Sequence, residues 1–256
     1  MPAPMRVFVI NLDRSPERLR SVRESAEAFG IELTRVPAVD GGKLPPGRPL
    51  PVDTRTFERI HGKRILPGEI GCYLSHLDTL EAIAAGDDLH AVIVEDDVRF
   101  TAGFLPFLDK LRRLEGWDAV KLVNHRTRGF VTHAAVGDAI RIGRCAHGPC
   151  GSSAAYVVTK AGAARLLQAL TPMRLPYDVA LERGWSGRGY SIFTTDKALV
   201  TLGSVEDSTI AAASSVYQKA TFPPYKRIGT LIFRVGDYLR RTIYAFQGKD
   251  MSRRTL

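Results

Sequence analysis

The sequence predicts an α/β domain in which helices cover a central sheet. Its first 36 residues carry the pattern of a strand, a helix and a second strand, which is typical of parallel pairing. Further along, short apolar segments alternate with segments whose apolar residues recur at helical spacing. With 256 residues, 45% of them hydrophobic and 25% charged, the chain has the composition of a globular protein with a sizeable core.

The opening unit is predicted from local signals. Residues 6–12 (RVFVINL) are rich in β-branched side chains and predict a buried strand. A helix should begin at residues 15–17 (SPE), because serine can cap it, proline suits its first turn and an acid lies near its positive end. Gly30 is placed to end this helix, and residues 33–36 predict the second strand.

The middle of the chain continues the alternation. Residues 41–51 are rich in Gly and Pro and predict a surface loop. A helix should begin at residues 67–69 (PGE) and end near Gly86, and residues 91–94 (AVIV) predict a short buried strand. Further strands are predicted over residues 118–123, 154–158 and 190–194, and a further helix over residues 159–170.

The end of the chain is basic and has helical periodicity. Residues 226–256 hold eight Lys or Arg and two Asp, a net charge of +6, whereas residues 1–225 hold 28 basic and 25 acidic side chains, or +3. We therefore divide the chain into a domain over 1–220 and a basic amphipathic helix and tail over 221–256. Such a tail favours an acidic partner, and the alternative is a helix packed on the protein's own core. Its apolar residues are Ile228, Leu231, Ile232, Val235, Leu239, Ile243 and Phe246.

Three consecutive carboxylates, Glu95, Asp96 and Asp97, follow the strand predicted over residues 91–94. They repel one another and are costly to remove from water, so a cation should compensate them. Strand ends are also where ligands bind in an open α/β sheet. Glu95 and Asp97 project to the same side of an extended backbone and can converge on one hard divalent cation, Mg²⁺ or Mn²⁺. The alternative is that the acids cap the next helix or pair with arginines.

Gly71, Ser75 and His76 lie in the helix predicted to begin at residues 67–69. A glycine inside a helix costs about 1 kcal/mol relative to alanine, so Gly71 indicates a close backbone approach or a ligand. Ser75 and His76 are polar groups beside an apolar stripe and could bond a sugar or a phosphate. For His76 the alternative is a structural role, with its ring satisfied inside the protein.

Taken together, seven segments resemble glycosyltransferase family 25, the lipopolysaccharide-biosynthesis galactosyltransferase family that also includes collagen galactosyltransferase domains. They occur in family order over roughly residues 6–210. The segments are VFVINLDRSPERL (7–19), RVPAVDG (35–41), LPGEIGCYLSH (66–76), AVIVEDDV (91–98), WDAVKL (117–122), GSSAAYVVTKAGAARLL (151–167) and LPYDVAL (175–181).

The resemblance implies a GT-A type nucleotide-binding fold with a mixed, mostly parallel central sheet. It also implies an inverting hexose transfer from a UDP-sugar, commonly UDP-galactose, to a lipopolysaccharide-type glycan or glycolipid. The expected cofactor is a divalent metal, Mn²⁺ or alternatively Mg²⁺, bound by Asp97 with help from Glu95, and Asp96 assists the metal or the ribose.

The resemblance further assigns side chains to the donor and acceptor sites. For the catalytic base, which takes the proton of the acceptor hydroxyl, Asp178 is the candidate; its alternative role is to cap the helix through Leu181. Glu206, Asp207 and His76 are the fallback bases. The remaining residues expected near the nucleotide or the acceptor are Asn11, Asp13, Arg18, Glu69, Ser75 and His76.

The expected compartment is the cytoplasm, with peripheral attachment to the inner face of the cytoplasmic membrane. Cys72, Cys145 and Cys150 cannot all pair within one chain, and residues 1–11 lack the pattern of a secretory leader. No segment approaches the roughly 18 apolar residues of a membrane span. The basic residues within 226–254 are expected to meet an anionic membrane surface.

Two other functions stay open at this point. One is a non-catalytic protein that retains the fold and binds a nucleotide sugar or a membrane. The other is a metal-dependent phosphoesterase, which would need further His or Asp ligands. Nucleic-acid binding is not expected, because the basic tail lacks interleaved aromatic residues in a recognisable domain.

Overall fold

The structure, a computed structural model, describes residues 4–45, 47, 49–137, 139–186, 189–203 and 220–247. Over these residues the chain has three layers, with an eight-stranded sheet between two layers of helices. The predicted α/β class with a central sheet flanked by helices is therefore confirmed.

The strands and helices have the following bounds. The central sheet contains β1 (Arg6–Asn11), β2 (Leu33–Pro37), β3 (His90–Glu95), β5 (Ala119–Lys121), β6 (Arg128–Val136), β7 (Ile140–His147), β8 (Ala155–Thr159) and β9 (Ile192–Thr195). A two-stranded ribbon contains β4 (Val98–Phe100) and β10 (Val200–Leu202). The helices are α1 (Pro16–Glu27), α2 (Thr54–His61), α3 (Pro67–Ala85), α4 (Phe104–Leu111), α5 (Lys160–Leu170), α6 (Tyr177–Leu181) and α7 (Ile228–Phe246).

The order of strands brings two chemically important chain ends together. The order is β2-β1-β3-β8-β5-β9-β7-β6; β1 is parallel to β2 and β3, β5 is parallel to β9, and the other neighbours are antiparallel. Because β1 and β3 run in the same direction, with Ile10 opposite Glu95, their carboxyl ends meet at one edge of the sheet. Asn11 lies at the end of β1 on the same edge.

Alternate residues of the strands build a separate core on each face of the sheet. Val9 and Val94 face the core that α1 and α4 cover. Ile10 and Ile93 face the core that α3, α5 and α6 cover. Both faces of β1 and β3 are therefore dry, which explains their continuous apolar sequences.

Most of the predicted elements are confirmed to within about two residues. The close approach predicted at Gly71 is confirmed as well, since a Cβ there would lie 2.4 Å from the backbone oxygen of Val39. Sequence reasoning missed α2, β4, α4, β10 and the β6–β7 hairpin. In β6 most side chains are exposed or half-buried, so the strand lacks the apolar alternation that would predict it.

The basic helix predicted near the end of the chain is confirmed as α7, which packs on β7 and α2. Over the described residues, no helix combines the length and the apolar character that crossing a membrane requires. The division of the chain at residue 220 stays a prediction.

Candidate active site at the carboxyl edge of β1 and β3

The three acids predicted as a cation site lie where β3 ends and the chain turns into β4. The side chain of Asp96 is 7% exposed, and those of Asp97 and Glu95 are 25% and 27% exposed. The cluster is therefore set into the edge of the sheet and keeps an opening to solvent. This is the edge at which ligands of α/β sheets bind.

Asp96 is held from two directions by residues of the first strand and helix. Asn11 Nδ2 donates to Asp96 Oδ2 at 2.7 Å, and Arg18 forms an ion pair with Asp96 Oδ1 at 2.6 Å. Arg35 in turn donates to Asn11 Oδ1 at 3.1 Å and pairs with Asp13. Burial raises the pKa of Asp96, although Asn11 and Arg18 oppose that rise. The structure thus brings together Asn11, Arg18 and Asp96 as predicted neighbours.

Glu95 is anchored by a histidine and a serine. Ser153 Oγ donates to Glu95 Oε1 at 2.8 Å, and His76 Nε2 lies 3.4 Å from the same oxygen. The fully buried His76 ring stacks on Tyr177 with 4.1 Å between centroids, and its Nδ1 lies 3.2 Å from the Tyr156 hydroxyl. Burial opposes ionisation of Glu95, but the bonds from His76 and Ser153 outweigh it and lower the pKa.

Asp97 has the opposite surroundings. Its Oδ1 is buried and makes no hydrogen bond within the described part of the chain, and the ion pair of its Oδ2 with Arg18 is 3.4 Å long. Burial, together with the charge of Glu95, raises the pKa of Asp97 to about 6. Arg18 supplies one positive charge for two carboxylates. A cluster with this excess of negative charge and an unpaired oxygen fits a divalent cation.

A second set of donors converges on Glu95. The ligand atoms of Cys72, His76 and Glu95 all lie within 4.8 Å of one another. Cys72 and His76 are four residues apart on α3 and therefore share one side of that helix. Glu95 thus has softer ligand types, a thiol and an imidazole, near its carboxylate, in addition to the neighbouring carboxylates in the sequence.

Asp178, the candidate base, lies in the first turn of α6. It does not cap that helix, because the capping position is Pro176. Burial raises the pKa of Asp178, the charge of Lys121 opposes the rise, and the charges of Glu182 and then Glu95 add to it. The fallback bases Glu206 and Asp207 lie outside the described residues.

Glu69 and Ser75, which were predicted to face the pocket, have partners within the protein. Glu69 forms an ion pair with Lys63 at 3.1 Å and accepts from the backbone nitrogen of Leu66 at 2.9 Å. Ser75 Oγ donates to the Gly71 oxygen at 2.7 Å and accepts from the Val39 nitrogen at 2.8 Å. These contacts fix the start of α3 against the loop after β2, and a role of either residue in ligand binding stays a prediction.

Sequence reasoning missed several side chains that complete the site. Ser153 lies in the segment GSSAAYVV, which carried the family resemblance without pointing to a serine. Its position beside Glu95 follows from the antiparallel pairing of β8 with β3, which is a long-range contact. Tyr156 and Tyr177 were missed because buried tyrosines resemble ordinary core residues in a sequence.

A cavity of about 390 Å³ lies on another part of the surface. Tyr73, Arg174, Arg183, Trp185 and Arg240 contribute to its walls, and none of the three acids does. Cavity volume alone would therefore not identify the acid cluster as a binding site. We place the candidate site at the acids because the unpaired charge lies there.

The chain is similar to known proteins of one family. Residues 5–135 match the family model described as "Glycosyltransferase family 25 (LPS biosynthesis protein)". The chain is 31% identical over 122 residues to a "Glycosyltransferase 25 family member" of Aedes aegypti, which covers 44% of this chain and 20% of that protein. It is 33% identical over 183 residues to a "Probable inactive glycosyltransferase 25 family member 3" of Bos taurus, which covers 67% of this chain and 30% of that protein. The chain thus spans about a fifth to a third of these relatives.

Among solved structures, the chain is similar to the apo-form glycosyltransferase GlyE of Streptococcus pneumoniae TIGR4. That likeness has a TM-score of 0.38 and 10% identity, and it covers 74% of this chain and 45% of the other. At this distance the likeness indicates nothing about function. The family match and the geometry of the acid cluster are the observations that do.

Proposed function

Because the chain belongs to glycosyltransferase family 25, we propose that it transfers a hexose from a UDP-hexose to a glycan. The observation that carries the proposal is the buried, unpaired Oδ1 of Asp97 beside Glu95 and Asp96. Such a cluster is unfavourable unless a cation joins it. Its position at the ends of β1 and β3 is where an α/β sheet binds ligands.

Asp97 and Glu95 are the residues that would hold the divalent cation, for which we propose Mn²⁺, with Mg²⁺ as the alternative. When bound, such a cation stabilises the negative charge that develops on the departing diphosphate. Arg18 orients the carboxylates of Asp96 and Asp97 and adds a positive charge beside the phosphates. His76 and Ser153 keep Glu95 ionised and fixed in direction.

We assign the remaining steps to side chains around this cluster. Asn11 and Asp13 lie at the end of β1 and are proposed to contact the nucleoside. Asp178 is proposed as the base that removes the proton of the acceptor hydroxyl during an inverting attack. Its raised pKa supports this role, because a base with a pKa nearer the working pH transfers protons more effectively.

The donor and the acceptor are proposals at a finer level. We propose UDP-galactose as the donor, which the resemblance of the sequence segments implies. We propose a lipopolysaccharide or lipooligosaccharide-type glycan as the acceptor, in line with the family description. We also propose a cytoplasmic location at the inner face of the membrane, with attachment to an anionic surface through residues 226–254. The net charge of +6 over residues 226–256 supports this attachment.

The second candidate is a protein that binds a nucleotide sugar without transferring it. It is favoured by the names of some relatives, such as "Inactive glycosyltransferase 25 family member 3" of Homo sapiens, which is 36% identical over 120 residues and covered to 20% by the match. Three adjacent acids, one of them with an unpaired oxygen, argue for the first candidate. Without a cation, such a cluster would only destabilise the fold through repulsion between its charges.

The test is UDP release from a panel of UDP-sugars with Mn²⁺ and with EDTA, in the presence and absence of a glycan acceptor. We expect metal-dependent turnover of one sugar. Asp97→Asn should reduce it about a thousandfold, which corresponds to about 4 kcal/mol of transition-state stabilisation. Glu24→Gln, a neutralised acid on the exposed side of α1, is the matched control. Binding of UDP without turnover of any donor would support the second candidate.

A further inference from the structure

The helix α7 turns its large apolar side chains to solvent. Eight of them are 46–69% exposed. A helix at the surface of a globular protein normally turns this stripe toward the core. The exposed residues are Ile228, Leu231, Ile232, Val235, Tyr238, Leu239, Ile243 and Phe246, and we call them the outer face.

The outer face lies opposite the side by which α7 is attached. At about 100° per residue, the eight side chains fall within an arc of about 140°. Of the buried residues of α7, Thr230 and Arg241 lie on the opposite side of the helix, and Ala245 lies beside the edge of the arc. The apolar stripe is thus continuous along the whole helix. Tyr238, at its edge, stacks on His147, and the other seven side chains are more than half exposed in the described part of the chain.

Specific polar contacts fix this orientation. Arg241 donates to the buried Glu182 at 2.9 Å, and Thr230 Oγ1 donates to the backbone oxygen of Arg59 at 3.0 Å. Asp237, the one carboxylate in the sequence of α7, accepts from Arg183 at 2.7 Å. Rotating the apolar stripe inward would break these buried ion pairs, which is strongly destabilising.

The charges around the outer face are positive. Lys226, Arg234 and Arg240 are exposed, and the two arginines lie at about equal angles on either side of the stripe. Because Asp237 is used on the inner side, the outer face carries no carboxylate to balance them. A second copy of the chain packed on this face would bring like charges together, whereas an anionic surface would neutralise them.

We propose that the outer face of α7 lies in the headgroup boundary of an anionic lipid bilayer, with the helix parallel to the membrane. This deepens the membrane attachment proposed above and does not depend on sugar transfer. The 19 residues extend about 28 Å along the surface, and the basic margins meet lipid phosphates while the apolar side chains enter the acyl region. Tyr225, which is exposed, suits the interface between lipid and water.

The experiment is flotation of the full chain with vesicles of phosphatidylcholine, with and without phosphatidylglycerol. We expect binding to the vesicles that contain phosphatidylglycerol, and weaker binding at high salt. Ile232→Ser with Leu239→Ser should weaken binding about tenfold or more, because two large side chains no longer enter the lipid. Leu89→Ser is the matched control, since Leu89 and Ile232 are both 68% exposed and Leu89 lies outside α7.

Three results would overturn the proposal. They are failure of the wild type to bind, an equal loss in the control, and a dimer in solution that the double substitution dissociates, which would assign the face to a second copy. UDP release from soluble donor is measured without vesicles on the same proteins. It separates loss of membrane binding from loss of transfer, because the double substitution leaves the acid cluster intact.

Discussion

Two carboxylates of this protein, the half-buried Asp97 and the buried Glu182, have opposite surroundings. Glu182 accepts from Lys121 at 2.7 Å, Arg241 at 2.9 Å, and the backbone nitrogens of Cys150 and Gly151 at 3.0 and 2.9 Å. Burial opposes ionisation of Glu182, but the charges of the two cations outweigh it and lower its pKa. Asp97 keeps one oxygen without a partner, and burial raises its pKa.

The difference separates a structural carboxylate from one that is ready to bind a ligand. Four donors satisfy Glu182, which thereby joins α7 to the chain segment that leads to Ser153 and the acid cluster. Nothing comparable satisfies Asp97 within the described residues. Removing Glu182 should therefore weaken the fold, whereas removing the charge of Asp97 should strengthen the fold and abolish function.

The largest effect on stability is expected for Glu182→Gln. The substitution leaves Lys121 and Arg241 buried without a countercharge, and breaking a buried ion pair from one side costs about 3 kcal/mol or more. Urea unfolding measures the loss. Glu24→Gln, on an exposed part of α1, should change the free energy of unfolding by less than about 0.5 kcal/mol. A loss below about 1 kcal/mol for Glu182→Gln would mean that the two cations have other partners.

A smaller change of opposite sign is expected for Asp97→Asn in the presence of EDTA. The pKa of Asp97 is about 6 in the folded protein and about 3.9 in the unfolded chain, so the folded state binds more protons between these values. Wild-type stability therefore falls as the pH rises from about 4 to 6. The asparagine variant lacks this loss and should be more stable by up to about 3 kcal/mol at pH 8, with little difference at pH 4.

The metal provides the control for the comparison at Asp97. Mn²⁺ should raise the melting temperature of the wild type and have a much smaller effect on Asp97→Asn, because a ligand stabilises only the state that binds it. Equal stability of the two proteins at pH 8 in EDTA would show that Asp97 is already satisfied. The distinction drawn from Glu182 would then fail.

The sequence predicts one side of this comparison and not the other. Glu95, Asp96 and Asp97 are adjacent in the chain and follow an apolar strand, so both their cluster and its location at a sheet edge can be predicted locally. The Glu182 cluster joins residues about 60 positions apart, and each of them alone resembles a solvated surface charge. Such long-range contacts decide which carboxylates have hydrogen-bond and ion-pair partners in the fold.

The C-terminal helix shows the same limit. Its periodicity predicts a helix with an apolar stripe, and α7 has both. The direction of the stripe depends on Arg241 meeting Glu182 and Asp237 meeting Arg183, which no local pattern reveals. The sequence left open whether this helix meets an acidic surface or packs on the core. The structure packs α7 on β7 and α2 and turns its apolar stripe to solvent, and the membrane contact stays a proposal.

The smallest effect is expected at Ser153. This residue donates one hydrogen bond to Glu95, whereas Glu182 accepts from four donors. Ser153→Ala removes the 2.8 Å bond to Glu95 and should cost about 1 kcal/mol, or about a fivefold loss of kcat/KM. Because that bond lowers the pKa of Glu95, its loss should move the acidic limb of the pH–rate profile to higher pH. Thr159→Ala, at the far end of β8, is the control. It removes the cap of α5 and should lower the free energy of unfolding by about 1 kcal/mol, with the pH–rate profile unchanged. An unshifted acidic limb in Ser153→Ala would mean that His76 alone keeps Glu95 ionised.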